Sequence, residues 1–205
     1  MAGEKLDLYK LHREDYKAKP EPEIKKIAPA NYLMIDGSGS PDGKDFPWKM
    51  GGLYGMAYTL KFASKTKGRD YVVSKLEGLW WVEEVEGFDF VSASKDDWQW
   101  RILIRTPDFI TEADLAEAIE QLRTKKKEGP FEEVRVGILD EGEVVQALHI
   151  GPYSEETALI HRMHEYAEAQ GYELTGLHHE IYLGDPRSTA PEKLKTILRH
   201  PVKKK

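Results

Sequence analysis

Val144-Val-Gln-Ala-Leu-His-Ile-Gly-Pro-Tyr153 and, beyond a helix-like run, Leu177-His-His-Glu-Ile-Tyr-Leu183 frame the stretch on which the reading of this chain turns. An apolar strand ends at Gly151-Pro152. Ser154 is placed to cap a helix, with Glu155 and Glu156 in the first turn, where the helix dipole favours negative charge. Leu159, Met163, Tyr166 and Ala167 recur at helical spacing, and Gly171 stands where a C-cap glycine belongs. In the strand that follows, Leu177, His179, Ile181 and Leu183 share one face, and His178, Glu180 and Tyr182 share the other. A carboxylate in the middle of an apolar strand is costly to bury without compensation. Alternation leaves Glu180 two roles. It either faces solvent on a one-sided strand or lies on a ligand-facing side, bonded to Tyr182 or to a bound molecule.

Composition narrows the classes. The chain has 205 residues, 40% hydrophobic and 32% charged, as expected of a globular protein. No apolar run approaches the roughly eighteen residues of a membrane span, and the N-terminus lacks the apolar core of a signal peptide, so a cytoplasmic protein without membrane contact is expected. Cysteine is absent, which removes disulfides, thiolate chemistry and cysteine metal sites. A net charge of −6 disfavours direct nucleic-acid binding, which depends on Lys and Arg neutralising phosphates. His161, His164, His178 and His179 do not form the His-Glu-x-x-His zinc motif. Asp36-Gly-Ser-Gly-Ser lacks the lysine of a phosphate-binding loop, and no Gly-x-Ser-x-Gly turn is present. No metal and no cofactor are expected.

Residues 1–20, charged and ending in Lys-Pro-Glu-Pro, are expected to form a flexible arm with a short helix near Leu6 to Leu11. Two strands separated by Pro29 follow, then a helix from Pro47 carrying Met50, Leu53, Tyr54, Ala57, Tyr58 and Lys61 at i, i+3, i+4 spacing. Gly51, Gly52 and Gly55 weaken that helix and suit a close approach to its backbone. Tyr71 to Val82 reads as a strand, a Gly-containing link holds Phe88 and Phe90, and Trp98 to Ile104 alternates as another strand. Thr111 opens a helix with Asp114 as the return partner of a capping box. Phe131 to Leu139 and Glu143 to Ile150 form a strand pair, and Lys193 to Arg199 a last strand.

The order repeats: strand, strand, glycine turn, helix, strand, strand. Arg101 to Pro107 matches Lys195 to Pro201, and Gly78-Leu-Trp80 overlays Glu180-Ile-Tyr182. We therefore expect an α+β fold of duplicated modules, residues 21–128 (with a connecting helix) and 129–205. A pseudo-twofold would relate them, their antiparallel sheets meeting at a central ligand cleft.

His149-Ile-Gly-Pro-Tyr153, His179-Glu-Ile-Tyr-Leu183, Asp185-Pro186 and the run from Pro191 to Pro201 resemble the GyrI-like effector-binding family. Leu53 to Tyr58 and Glu77-Gly-Leu-Trp-Trp81 look like its standalone branch. The resemblance implies that Glu180 points into the cleft toward cationic or polar aromatic ligands. It also implies hydrolysis of cyclopropanoid genotoxins, an activity of some standalone members. Glu180 would accept a proton and Tyr182 would orient it or donate to the ligand. Trp80, Trp81, Tyr54, Tyr58, Trp98 and Tyr153 are candidate aromatic walls. Tyr54 and Tyr58 equally suit a packed helix stripe, and Trp98 equally suits sheet packing. Of Trp80 and Trp81 only one can face the cleft, and the overlay favours Trp80. His149 fits either a ligand contact or a hydrogen-bonded structural role. The expected partner is a bulky aromatic small molecule. A non-catalytic drug binder or sensor and a DNA-gyrase-interacting protein are the alternatives.

Overall fold

Strand order, rather than strand content, explains how the two halves hold together. The structure, a computed structural model, describes residues 5–83 and 93–205, so the expected link with Phe88 and Phe90 lies outside the described residues. The strands are β1 (Glu23–Ile27), β2 (Ala30–Ser38), β3 (Leu76–Val82), β4 (Trp98–Arg105), β5 (Arg135–Leu139), β6 (Gly142–Ile150), β7 (Tyr172–Leu174), β8 (His178–Tyr182) and β9 (Lys195–Lys204). The helices are α1 (Leu8–Leu11), α2 (Asp45–Thr66), α3 (Glu112–Thr124) and α4 (Thr157–Ala169). The strands form one curled antiparallel half-barrel in the order β1-β6-β9-β8-β3-β4-β2-β5, with β7 on the end of β9.

That order is symmetric about the β8–β3 seam. Each half lends its first strand to the other: β1 pairs with β6, and β5 pairs with β2. The strand pair expected from Phe131 to Ile150 is therefore not a hairpin, because its members lie at opposite ends of the sheet. At the seam Gly78 stands directly opposite Glu180, where the overlay of Gly78-Leu-Trp80 on Glu180-Ile-Tyr182 requires the local axis to pass. Gly78 also pairs with Ile102, and Glu180 with Leu198. Ile102 thus corresponds to Leu198, two residues beyond the match read between Arg101–Pro107 and Lys195–Pro201.

Helices cover one face. On the first half, Leu53, Met56, Ala57 and Leu60 of α2 pack with α3 residues and with Leu33, Ile35, Trp100, Ile102 and Ile104. On the second, Leu159, Ile160, Met163 and Ala167 of α4 pack on Val145, Ala147 and Leu198. Burial of these aliphatic side chains is the main favourable term of folding, at roughly 1.5–3 kcal/mol each. The expected glycine approach is present: a Cβ on Gly52 would lie 2.7 Å from Pro130 Cδ, and one on Gly55 3.0 Å from Phe131 Cε1. Thr111 and Asp114 make the reciprocal capping box. Gly37 lies so close under Trp100 that an added Cβ would sit 2.1 Å from the ring. Gly37→Ala is accordingly expected to lose at least roughly 1–3 kcal/mol of stability, read from the urea midpoint, because a fully buried indole must move.

The other face carries polar groups closed off from solvent. His179 Nε2 lies 3.0 Å from Glu77 Oε2, and Nδ1 lies 3.0 Å from Glu141 Oε1. Tyr16 and Tyr32 hydroxyls donate to Glu77 at 3.2 and 3.1 Å. Arg199 reaches Glu141 at 3.3 Å, Gln146 at 3.1 Å and the carbonyl of Asp15 at 2.7 Å. From Lys5 onward, residues expected as a flexible arm thus contribute packed groups: Leu8 and Tyr16 are buried, and Leu6 bridges to Tyr71. Tyr71 belongs to that bridge, which is why β3 begins only at Leu76. Among the described residues no helix is long and apolar enough to cross a membrane.

Candidate functional site

Following one row across the sheet on its helix-covered face gives Ala147, Leu198, Glu180, Gly78, Ile102 and Ile35. The row is apolar on both flanks. At its centre a carboxylate faces a residue without a side chain. Glu180 is only 8% exposed, so it is neither a surface acid nor fully sealed.

The groups around it hold that acid in place. Tyr182, two residues on and on the same face, donates its hydroxyl proton to Glu180 Oε2 at 2.8 Å. The indole N–H of Trp80 donates to the Tyr182 oxygen at 3.2 Å. Gly78 makes the room: a Cβ there would meet Trp80 Nε1 at 2.8 Å and the Tyr182 hydroxyl at 3.1 Å. His178 Nε2 lies 3.4 Å from Glu180 Oε1. Burial, and then the charge on Glu180, raise the Tyr182 hydroxyl well above its usual range, so it stays a donor. Aromatic rings continue outward. Trp98 meets Trp80 edge-on at 5.6 Å, Phe46 of α2 stacks on Trp80 at 5.7 Å, and Tyr153 meets Tyr182 edge-on at 5.6 Å.

Glu180, Tyr182, Trp80, Trp98 and Tyr153 therefore form one connected group. Tyr153 is 39% exposed at its outer edge, with its hydroxyl pushed up to about 12 by burial and by Glu156, Glu180 and Asp185. Tyr54 is half-buried on α2, stacked on Tyr58 and within the field of Asp185 and Arg187 on the loop after β8. Three further candidates lie outside this group. Trp81 points to the opposite face, where it packs with Tyr32, Met34, Leu79 and Leu103. Tyr58 is exposed and lines a hollow of about 410 Å3 between α2 and α3, with Phe62, Leu122 and Phe131, away from the seam. His149 is buried with Nε2 donating to the carbonyl of Pro152 at 3.1 Å, which fixes the turn after β6. A second hollow of about 260 Å3 lies by Leu8, His12 and Arg105, and neither hollow includes Glu180.

Sequence reasoning missed Glu156. Ser154 does not cap α4; Tyr153–Glu155 form a single 3-10 turn after Gly151 (φ +144°) and Pro152. The helix starts two residues later, with Glu156 at the N-cap position but without a side-chain capping bond. Its carboxyl group turns inward and is 4% exposed. Burial, and then the charge on Glu180, push it above the carboxylate range, which favours its protonated form. Helix-dipole logic had placed it only as a negative charge in the first turn. Phe46, a ring stacked on Trp80, lies one residue before Pro47, where the helix was read to start. Among the described residues no group of three or more His, Asp or Glu is arranged to hold a metal ion.

A duplicated antiparallel half-barrel with a carboxylate at its seam is the frame of a small-molecule-binding domain. The chain belongs to the GyrI-like small molecule binding domain family, which matches residues 20–203. The crystal structure of an uncharacterized conserved protein from Listeria innocua is 41% identical, covers 97% of this chain and 100% of its own, and superposes with a TM-score of 0.89. Two crystal structures described as hydrolases from Listeria innocua are 40% and 38% identical. They cover 98% and 97% of this chain and 100% of their own, with TM-scores of 0.87 and 0.84. Comparison with curated proteins gave no match.

Proposed function

We propose that this protein is a hydrolase that adds water to cyclopropanoid DNA-alkylating agents at Glu180. The observation that carries the reading is the placement of that carboxylate, nearly buried, oriented by Tyr182 and bordered by Trp80, Trp98 and Tyr153. Hydrolase descriptions on two relatives at 38% and 40% identity support the class of reaction. In the substrate a strained cyclopropane is conjugated to a dienone. The water oxygen bonds to the ring methylene, the cyclopropane C–C bond breaks, and its electron pair moves to the dienone oxygen, which becomes a phenolate. Glu180 takes the proton from the attacking water. Tyr182 holds the acceptor oxygen at a fixed angle, so little reorientation is left to the reaction itself. Flat rings of the substrate stack on Tyr153, the exposed member of the group, while buried Trp80 behind it holds the Tyr182 oxygen and limits the access of bulk water.

The test is direct. Wild-type protein is incubated with an excess of a spiro-cyclopropyl dienone, and the hydrated phenol is followed by chromatography. Many product molecules per protein are expected. Protection that stops at one substrate per protein without product would make this a drug sink, and no product and no binding would reject the reading. Tyr153→Ala is expected to weaken substrate binding by roughly 0.5–1.5 kcal/mol, the usual worth of an aromatic pair, whereas Trp81→Ala leaves it unchanged. Titration calorimetry with an unreactive analogue reads both.

A further inference from the structure

Glu156 is a carboxyl group for which the fold has no use. It occupies the N-cap position of α4 yet makes no capping bond. Its Oε1 is shut off from solvent and makes no hydrogen bond of good geometry, although the Thr196 hydroxyl lies near enough to bear on it. It sits beside the Thr196 side chain on β9, and Thr196 pairs with Tyr182 on β8. Tyr153 and Tyr182 both lie within the electrostatic reach of Glu156 and of Glu180. Thus two acids meet over one stretch of the seam. One is bonded by Tyr182 and approached by His178; the other is unbonded at its inner oxygen. An ionised carboxylate in the second position would have only the Thr196 hydroxyl to offset its lost hydration, and an apolar residue of the same size would cost the fold little.

We propose that Glu156 is the proton donor of the site and Glu180 its acceptor. This rests on the hydration reading above. Water gives its proton to Glu180 as its oxygen bonds to the ring methylene. The cyclopropane bond breaks toward the dienone oxygen, and that oxygen takes the proton of Glu156. A neutral phenol leaves, with Glu180 protonated and Glu156 ionised. Transfer of one proton from Glu180 back to Glu156 restores the starting state, and nothing but water and substrate is consumed. The groups that bias the pair are Tyr182 and His178 on β8, Thr196 on β9, Tyr153 before α4, and Asp185 on the loop after β8. Turnover should fail at high pH as Glu156 ionises.

The test uses the full-length protein and two readouts. In substrate-free protein at neutral pH, the infrared spectrum should show the carbonyl stretch of a protonated carboxyl group, and Glu156→Gln should remove it. Glu156→Gln should also lower kcat roughly 10²- to 10⁴-fold, the usual worth of a positioned acid. That defect should shrink steadily with substrates whose phenol product is more acidic, because such leaving oxygens need less help. A merely structural side chain would slow all substrates equally. The variant should fold and melt at least as high as wild type at alkaline pH, since it removes a group that resists ionisation. A missing carboxyl band, a band that survives Glu156→Gln, or a defect independent of leaving-group acidity overturns the donor role alone. Absence of turnover by wild-type protein overturns the hydration reading and the donor role together.

Discussion

Replacing Glu180 by Gln is expected to lower kcat for cyclopropyl dienone hydration roughly 10²- to 10⁴-fold while KM changes little. The amide is nearly isosteric, and its oxygen still accepts the Tyr182 hydroxyl proton that the carboxylate accepts at 2.8 Å. The aromatic border is untouched, because neither Trp80 nor Tyr153 has a hydrogen bond to Glu180. What is lost is a group able to take a proton from water. Tyr182→Phe is the milder companion: the carboxylate stays but loses its orienting donor, as does the indole N–H of Trp80 its acceptor. Steady-state kinetics on the two variants separates the roles. A Gln variant within a few-fold of wild type would remove Glu180 from the chemistry.

The second large effect lies on the opposite face. Only an imidazolium donates from both nitrogens, and His179 presents both to carboxylates, Glu77 and Glu141. Burial alone would lower its pKa; Glu141 and then Glu77 overcome that and raise it to about 9. Glu141 is also opposed by burial, but His179 and Arg199 bring it down to about 2. His179→Leu leaves two buried carboxylates facing each other across the seam and is expected to cost roughly 3–5 kcal/mol, enough to unfold a marginal domain. The sign of the pH dependence follows from the same shifts. The raised His179 contributes fully below about pH 6.5 and is lost as pH rises through about 9. The lowered Glu141 contributes fully above about 4.5 and is lost as pH falls toward about 2. His164, held at about 4 by burial, His178 and His161, and His200, held well below its usual value by burial, His178 and His164, subtract stability on the acid side. Urea midpoints should therefore fall between pH 6.5 and 9, with the raised Glu156 acting in the same direction, and the part of the fall that Glu156→Gln leaves in place belongs to His179. A midpoint that stays flat from pH 6.5 to 9.5 would contradict this account of the brace.

How far the sequence could be read depended on whether a feature is local. Period-two alternation in Leu177 to Leu183 placed Glu180 and Tyr182 on a common face, and the repeat added Trp80 without any coordinates. The Thr111–Asp114 capping box needs only residues three apart, and it formed as read. The exchange of β1 and β5 between halves leaves no local signal, because pairing partners lie more than a hundred residues away in sequence. Glu156 was misplaced for a related reason. Ser154-Glu-Glu reads as a helix start by capping chemistry, but the backbone set by Gly151 and Pro152 inserts a 3-10 turn and rotates Glu156 inward. Likewise, alternation put His179 on a face with Leu177, Ile181 and Leu183 but named no partner for its imidazole. Curling of the sheet around Tyr16, Tyr32 and Arg199 buries that face as well, which no single strand's pattern reveals.

The central claim is that ligand chemistry takes place at the seam between the two halves. A crystal structure of the protein with an unreactive analogue, the cyclopropane replaced by a saturated ring, tests it most directly. The account predicts density for the aromatic core beside Trp80 and Tyr153, with a polar atom within hydrogen-bond distance of Glu180. Density in the hollow lined by Tyr58 and Phe62, with the seam unchanged, would contradict it.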